Sequence, residues 1–399
     1  MVVSMINNNL SHDFLKFLRS LIKTPSLSGK EDKVAKLVFE KMKELQYDEI
    51  FIDELGSVVG IIKENKGKSL CFNGHLDHVP EGDLKNWIYP PYEAVITNGI
   101  LYGRASVDMK SAVASMIYAA AKARDLGVIR GKLIVAAVVL EELQEGIAMK
   151  NIVENHNILP DIVILGEATN LNLAIGHRGR AEIEVIVYGK TSHASMPELG
   201  DNAIFKALPF LQRLKDINKN MPEHPILGKG TLALTKIVSE PPEGPIIPDK
   251  CKIYLDRRIA SLSTKNEILT ELKEMIESLS DELNSSDVEY KIIESELKCY
   301  TGYSLKAERF FPKWVVDKES PFVKLAISAL SEIGLEPQLI TWRFGTDGSY
   351  TAGERGIPTI GFGPGDEHLA HQPNEHVSLE DIYKAIGGYI SLAKYFLRN

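Results

Sequence analysis

Three short apolar runs in the first half of the chain each stop at a histidine or an acidic residue, and this recurrence restricts the fold more than any other feature. Residues 69–73 read as a buried strand that breaks at Asn73 and Gly74 and delivers His75 and Asp77 just beyond. Residues 132–140 lead into Glu141 and Glu142, and residues 161–165 into Gly166 and Glu167. Ligands of an open α/β sheet bind at the carboxyl ends of its strands, so polar groups repeated at those ends are placed for chemistry rather than for packing. Helical stripes at residues 13–22 and 31–46, a strand at 58–62 and a small-residue-rich helix at 111–123 alternate with these runs. Such alternation predicts a largely parallel sheet covered by helices on both faces.

At 399 residues the chain exceeds what one core usually supports, so two domains are expected. From about Gly179 the texture changes. Strands at residues 181–188, 231–238, 251–258 and 288–293, with helices at 201–215 and 265–278, follow the β-α-β-β-α-β order of a ferredoxin-like α+β domain. The signals of the first domain resume after Tyr300, with a helix at 321–332, strands at 338–342 and 359–362, and a closing helix at 379–397. The expected architecture is therefore α/β. Residues 1–178 and 296–399 form one domain, and 179–295 form an insertion within it.

A net charge of −8 argues against a nucleic-acid binder, which needs a basic surface. Three scattered cysteines, Cys71, Cys251 and Cys299, make an odd number without a paired motif and point to reduced thiols in a cytoplasm. Residues 1–10 show no charged segment followed by a long apolar stretch, and the apolar run at 133–140 is too short to cross a bilayer. Neither secretion nor membrane attachment is expected.

The polar groups at the strand ends, together with Asp108 and the late His371, make a set of two imidazoles and several carboxylates without clustered thiols. Such a set suits zinc and, less selectively, cobalt or manganese. Two ions need a shared carboxylate, about 3.5–4 Å being the usual separation, and hydrolysis needs another carboxylate free to act as base. The Glu141–Glu142 pair offers one residue for each task.

At these residues the chain resembles the zinc-dependent aminoacylase and carboxypeptidase family that includes acetylornithine deacetylase, succinyl-diaminopimelate desuccinylase, dipeptidases and glutamate carboxypeptidase. The family's His-x-Asp matches His75–Asp77, its Gly-Arg-x-x-x-Asp-Met-Lys matches residues 103–110, its Glu-Glu matches Glu141–Glu142, and its later acidic and imidazole ligands match Glu167 and His371. The resemblance implies one zinc on His75, Asp108 and Glu167 and a second on Asp108, Glu142 and His371, with Asp108 bridging. It implies Glu141 as general base, Asp77 as the partner that fixes the tautomer of His75, and a cis peptide at Asp108–Met109. The inserted domain would be a lid that also makes a homodimer. There His193 would stabilise an oxyanion and Arg258, in Asp256-Arg257-Arg258, would clamp a substrate carboxylate. A basic segment at residues 176–180 that includes Arg178, with the turn carrying Gly345 and Thr346, would shape the substrate pocket. The Arg178 segment and the loop at 363–375 look closest to a branch grouped with selenium-metabolism hydrolases.

The bland readings are a solvated loop for Asp77, Glu141 and His371, a surface group for His193 and Arg258, surface or supporting roles for His78, His368 and His376, and solvent exposure for Glu145. The glycines at 361–365 match no phosphate-binding motif. The expected activity is removal of the acyl group from an N-acyl amino acid by two zinc ions per subunit. The competing readings are a dipeptidase or carboxypeptidase acting on small peptides, a metal-binding scaffold without catalysis, and an α/β nucleotide binder.

Overall fold

In the computed structural model, residues 8–64, 66–261 and 264–398 are described; most of the 1–10 segment read above for a leader lies outside them. The three apolar runs become neighbouring strands. Ser69–His75 lies between Gly131–Val138 and Ile162–Leu165 and runs parallel to both. Every residue of Ser69–His75 is buried, which is why this strand reads as a continuous apolar run rather than an alternating one. Thr359–Gly361 adds a further parallel strand beside Ile162–Leu165. Antiparallel strands finish the sheet: Val58–Glu64 and Glu49–Ile52 at one side, Leu173–His177 and Trp314–Val315 at the other. Helices Asn8–Ile22, Asp32–Glu44, Lys110–Asp125, Pro321–Glu332 and Leu379–Phe396 contribute to one continuous apolar core with this sheet.

The chain divides into two units. The first takes residues through His177, Glu296–Leu305 and the chain from Trp314 onward; the second takes Arg178–Ser295 and Lys306–Lys313. The second unit thus includes a return segment that a single insertion at 179–295 leaves out. The reason is a backbone pairing: Phe310 and Phe311 add to the edge of Gly179–Tyr188.

In the second unit, strands Gly179–Tyr188, Thr231–Glu240, Lys250–Ile259 and Val288–Ile292 form an antiparallel sheet, with Lys250–Ile259 and Gly179–Tyr188 in the middle. Helices Ala203–Ile217 and Lys265–Glu277 bury Ala207, Phe210, Ile268 and Leu272 against it. Residues alternate strictly between buried and half-buried along both central strands, so one face packs and the other does not. The order and pairing are ferredoxin-like. No described helix is long and apolar enough to cross a membrane.

Candidate metal centre

The sheet delivers its polar residues to one place. His75 closes Ser69–His75, Glu141 and Glu142 follow Gly131–Val138, and Glu167 follows Ile162–Leu165. A glycine precedes each of two ligands. A Cβ on Gly74 would meet Met109 Cε at 2.7 Å, and one on Gly166 would meet Met116 Cε at 2.8 Å. Met109 and Met116 thus pack directly over the two glycines, and the helix that begins at Lys110 brings Asp108 alongside the strand ends.

Asp108 divides its carboxylate between two histidines. Its Oδ1 lies 2.8 Å from His75 Nε2 and its Oδ2 lies 3.0 Å from His371 Nε2. Glu167 stands 3.5 Å from His75 Nε2, and Glu142 stands 3.1 Å from His371 Nε2. Ligand atoms of His75, Asp108 and Glu167 lie within 4.8 Å of one another, as do those of Asp108, Glu142 and His371. The Asp108–Met109 peptide is cis. These are the two triplets that the resemblance implies, with one Asp108 oxygen turned to each.

The electrostatics of the cluster fit a pair of dications. Burial disfavours a charged His75, yet Asp108 and Glu167 override it and hold the imidazole well above its ordinary pKa. The hydrogen bonds of Asp108 and Glu142 lift His371 to about 10. Burial and the Asp108 charge push Glu167 up to about 7, and the same causes raise Glu142. Carboxylates crowded in this way call for positive charge, which protons on both imidazoles only partly provide. A nitrogen and oxygen donor set with surplus negative charge therefore fits zinc-like ions. Glu141 is different. It is buried, its Oε1 has no hydrogen-bond partner among the described residues, and burial raises its pKa well above the ordinary value.

Comparison with known proteins decides the relationship. Residues 71–395 match the model of peptidase family M20/M25/M40. The chain belongs to this family. An uncharacterized Escherichia coli (strain K12) protein, YgeY, is 34% identical over 91% of this chain and 89% of its own length. A succinyl-diaminopimelate desuccinylase of Wolbachia pipientis subsp. Culex pipiens (strain wPip) is 29% identical over 97% and 93%. Among solved structures, an M20 family metallo-carboxypeptidase from Sulfolobus solfataricus superposes with a TM-score of 0.72 at 18% identity, over 97% of this chain and 100% of that one. As an M20 protein, the chain is a metal-dependent hydrolase of amide bonds.

Asp77 works differently from expectation. Its carboxylate Oδ1 is 3.7 Å from His75 Nδ1, beyond hydrogen-bond range. His75 Nδ1 instead donates to the Asp77 backbone carbonyl at 2.9 Å, which leaves Nε2 for metal. The carboxylate accepts from the backbone amides of Glu141 and Glu142, both at 3.2 Å, and from Ser28 Oγ at 2.7 Å. It positions the Glu141–Glu142 turn, while the carbonyl fixes the tautomer.

The residues expected to touch substrate fare unevenly. Thr346 is fully buried, its amide donating to His177 Nε2 and its hydroxyl accepting from Gly348, so it braces the turn. Gly345 lies against the Glu145 carboxylate, where a Cβ would come within 1.8 Å; Glu145 is accordingly half-buried rather than solvated. In the basic segment at 176–180, His177 is buried edge-on to Trp314, Arg178 donates to the Lys229 carbonyl, and Arg180 stacks over Phe311. His193, Arg178 and Arg258 belong to the second unit. His193 is exposed with Nδ1 2.7 Å from Ser195 Oγ, and Arg258 is held by Asp256 at 2.8 Å. His78 is buried and accepts from the Ser26 amide, its pKa lowered to about 4 by burial and by Lys110. His368 is exposed beside Asp366, and the half-buried His376 packs on Tyr102.

Sequence reasoning missed two supports. A strap at residues 26–31 runs behind the His75 turn: Ser26 donates to the Leu76 carbonyl, Ser28 to Asp77, and Glu31 accepts from the amides of Gly29 and Leu140. The run of serines and glycine beyond Pro25 carries no local signal of this role. Asp347, fully enclosed, accepts from Asn73 Nδ2 at 2.8 Å and the Gly146 amide at 2.7 Å, tying a strand to the Glu141–Glu142 loop.

Proposed function

We propose that this protein removes the acyl group from an N-acyl amino acid, with two zinc ions held by His75, Asp108 and Glu167 on one side and by Asp108, Glu142 and His371 on the other. Cobalt or manganese would suit the same donors. The observation that carries the reading is Glu141, a buried carboxylate with an unpartnered oxygen within the field of His75 and Glu167, in a cluster whose Asp108 carboxylate is shared between two histidines. When bound, the ions supply Lewis acidity to the amide carbonyl and to an attacking water. Glu141 takes the proton of that water and returns it to the leaving amine as the C–N bond breaks and a C–O bond forms. Asp77 holds the Glu141 turn in place for both transfers.

The desuccinylase relative, aligned over nearly its whole length, supports a deacylase over a peptidase. Residues 1–178 and 296–399 are taken as the zinc-binding domain and 179–295 as a lid. His193 and Arg258 keep the roles that the resemblance implies, at the oxyanion and at a substrate carboxylate. Association of two chains through the second unit is supported by exposed apolar side chains on its outer strand and first helix, Leu234, Ile237, Phe205 and Leu208. A reduced cytoplasm suits the three buried free cysteines.

The test is a panel of N-acetyl and N-succinyl amino acids and dipeptides offered to metal-reconstituted protein. Turnover of the acyl amino acids is expected, and turnover confined to dipeptides would replace this reading with a peptidase. Glu141→Gln should keep its metal and lose about 10²–10⁴-fold in turnover; activity near wild type would remove Glu141 from the role of base.

A further inference from the structure

We infer that Glu375 is a positioning residue that joins the loop carrying Asp108 to the loop carrying His371, and so sets the second ion's site as a unit. The inference deepens the dinuclear reading and rests on it. Glu375 is fully buried and its carboxylate is saturated. Oε1 accepts from the amides of Val107 at 2.7 Å and Asp108 at 3.0 Å. Oε2 accepts from the Ala105 amide at 3.0 Å and from Arg104 Nη1 at 2.7 Å. One side chain therefore gathers three backbone amides of the turn that ends at Asp108, the residue shared by both triplets.

Glu375 itself sits four residues after His371, and its own carbonyl accepts from the Gly103 amide at 3.0 Å. Arg104, also buried, completes the joint from the other direction. It reaches the carbonyls of Gln372 and Pro80 at 3.3 Å and that of His371 at 3.5 Å, and it stacks over Trp87. The joint holds conformations that the chain would not keep alone: Ala105 and His371 both have left-handed backbones, with φ of 66° and 61°. His371 has no strand beneath it, unlike His75. The position of His371 relative to Asp108 is thus inherited from the Glu375–Arg104 pair.

Glu375→Gln is a sharp probe because each carboxylate oxygen takes two donors. Whichever way the amide is turned, its NH₂ group faces two N–H donors, although the side chain keeps its shape. Zinc titrated calorimetrically into metal-stripped full-length protein should show two binding steps in the wild type. In Glu375→Gln the first step should stay within a few-fold, and the second should weaken by about 10–100-fold. A role in general stability alone would lower the melting temperature of the metal-free variant and leave the two steps spaced as in the wild type; that result, or two unchanged affinities, overturns the inference. Should Glu375→Gln fail to fold, Arg104→Lys serves instead, keeping a charge for Glu375 while losing the three loop carbonyls. The same split in affinities is expected there, and its absence overturns the inference. Wild-type protein that binds fewer than two zinc ions would overturn the dinuclear reading itself.

Discussion

The two halves of the candidate metal centre are built by different means. On one side His75 and Glu167 stand at the ends of adjacent parallel strands, and the His75 side chain is 2% exposed. On the other side His371 comes from a loop, and its side chain is 47% exposed. The first half takes its geometry from a sheet whose hydrogen bonds exist for other reasons. The second depends on a few polar contacts made for it. A site assembled in this way has one ion position fixed by the fold and another that a small change in a loop can alter.

The largest effects should come from exchanging the two histidines for alanine. His75→Ala removes a buried partner from Asp108 and Glu167 and leaves their charges enclosed, so the protein should lose its first ion and several kcal/mol of stability. His371→Ala removes a half-exposed side chain. It should cost the second ion and most activity, but destabilise the metal-free chain less than His75→Ala does, because the side chain removed is itself half in water. Metal content per chain with urea unfolding of both variants measures this. Equal destabilisation would show that the loop side is as deeply tied into the core as the strand side.

That contrast also governs what could be read from sequence. The strand-end ligands were legible because a strand buried on both faces must be apolar, and the point where it stops being apolar marks its end. Residues 69–75 and 131–142 show this directly. The ferredoxin-like unit was legible from the β-α-β-β-α-β order of its elements, opening on the alternation along residues 181–188, and the strand observed there spans Gly179–Tyr188. Strand Leu173–His177 was not, because a five-residue strand that ends in glycine and histidine resembles a loop. Nor was the joint between Glu375 and the Asp108 turn, whose hydrogen bonds span 267 to 271 residues of chain and leave no local pattern. The same limit applies to Asp77. A His-x-Asp spacing fits a carboxylate on the imidazole as well as a carbonyl there, and only the distances of 3.7 and 2.9 Å separate the two.

Asp77→Ala tests that separation with a smaller expected effect. The His75 tautomer should survive, because the carbonyl that fixes it belongs to the backbone. Both ions should remain bound, with affinity reduced modestly, while the Glu141 turn loses two amide contacts and turnover falls by about 10–100-fold. Metal analysis beside a kcat measurement distinguishes the cases. Loss of one whole ion would mean that the carboxylate supports the strand side of the centre directly.

The last effect leaves turnover aside and concerns stability, and it too belongs to the strand side. Glu31 lies in the strap behind Asp77, and burial, followed by the Asp77 charge, raises its pKa from 4.5 to about 7. Below pH 4.5 the residue is protonated whether the chain is folded or not. Between 4.5 and about 7 the unfolded chain has lost a proton that the folded chain keeps, so stability falls as pH rises, and the loss is complete once pH passes the folded value. The displacement corresponds to roughly 3 kcal/mol. In Glu31→Gln the side-chain oxygen still accepts from Gly29 and Leu140 without carrying a charge. Urea unfolding of the variant and the wild type should therefore agree near pH 4.5, diverge up to about pH 7 and stay apart by a constant amount above it, with the variant the more stable. A constant difference across the whole range would show that Glu31 titrates normally. The pressure of negative charge on the strand side would then end at Asp77.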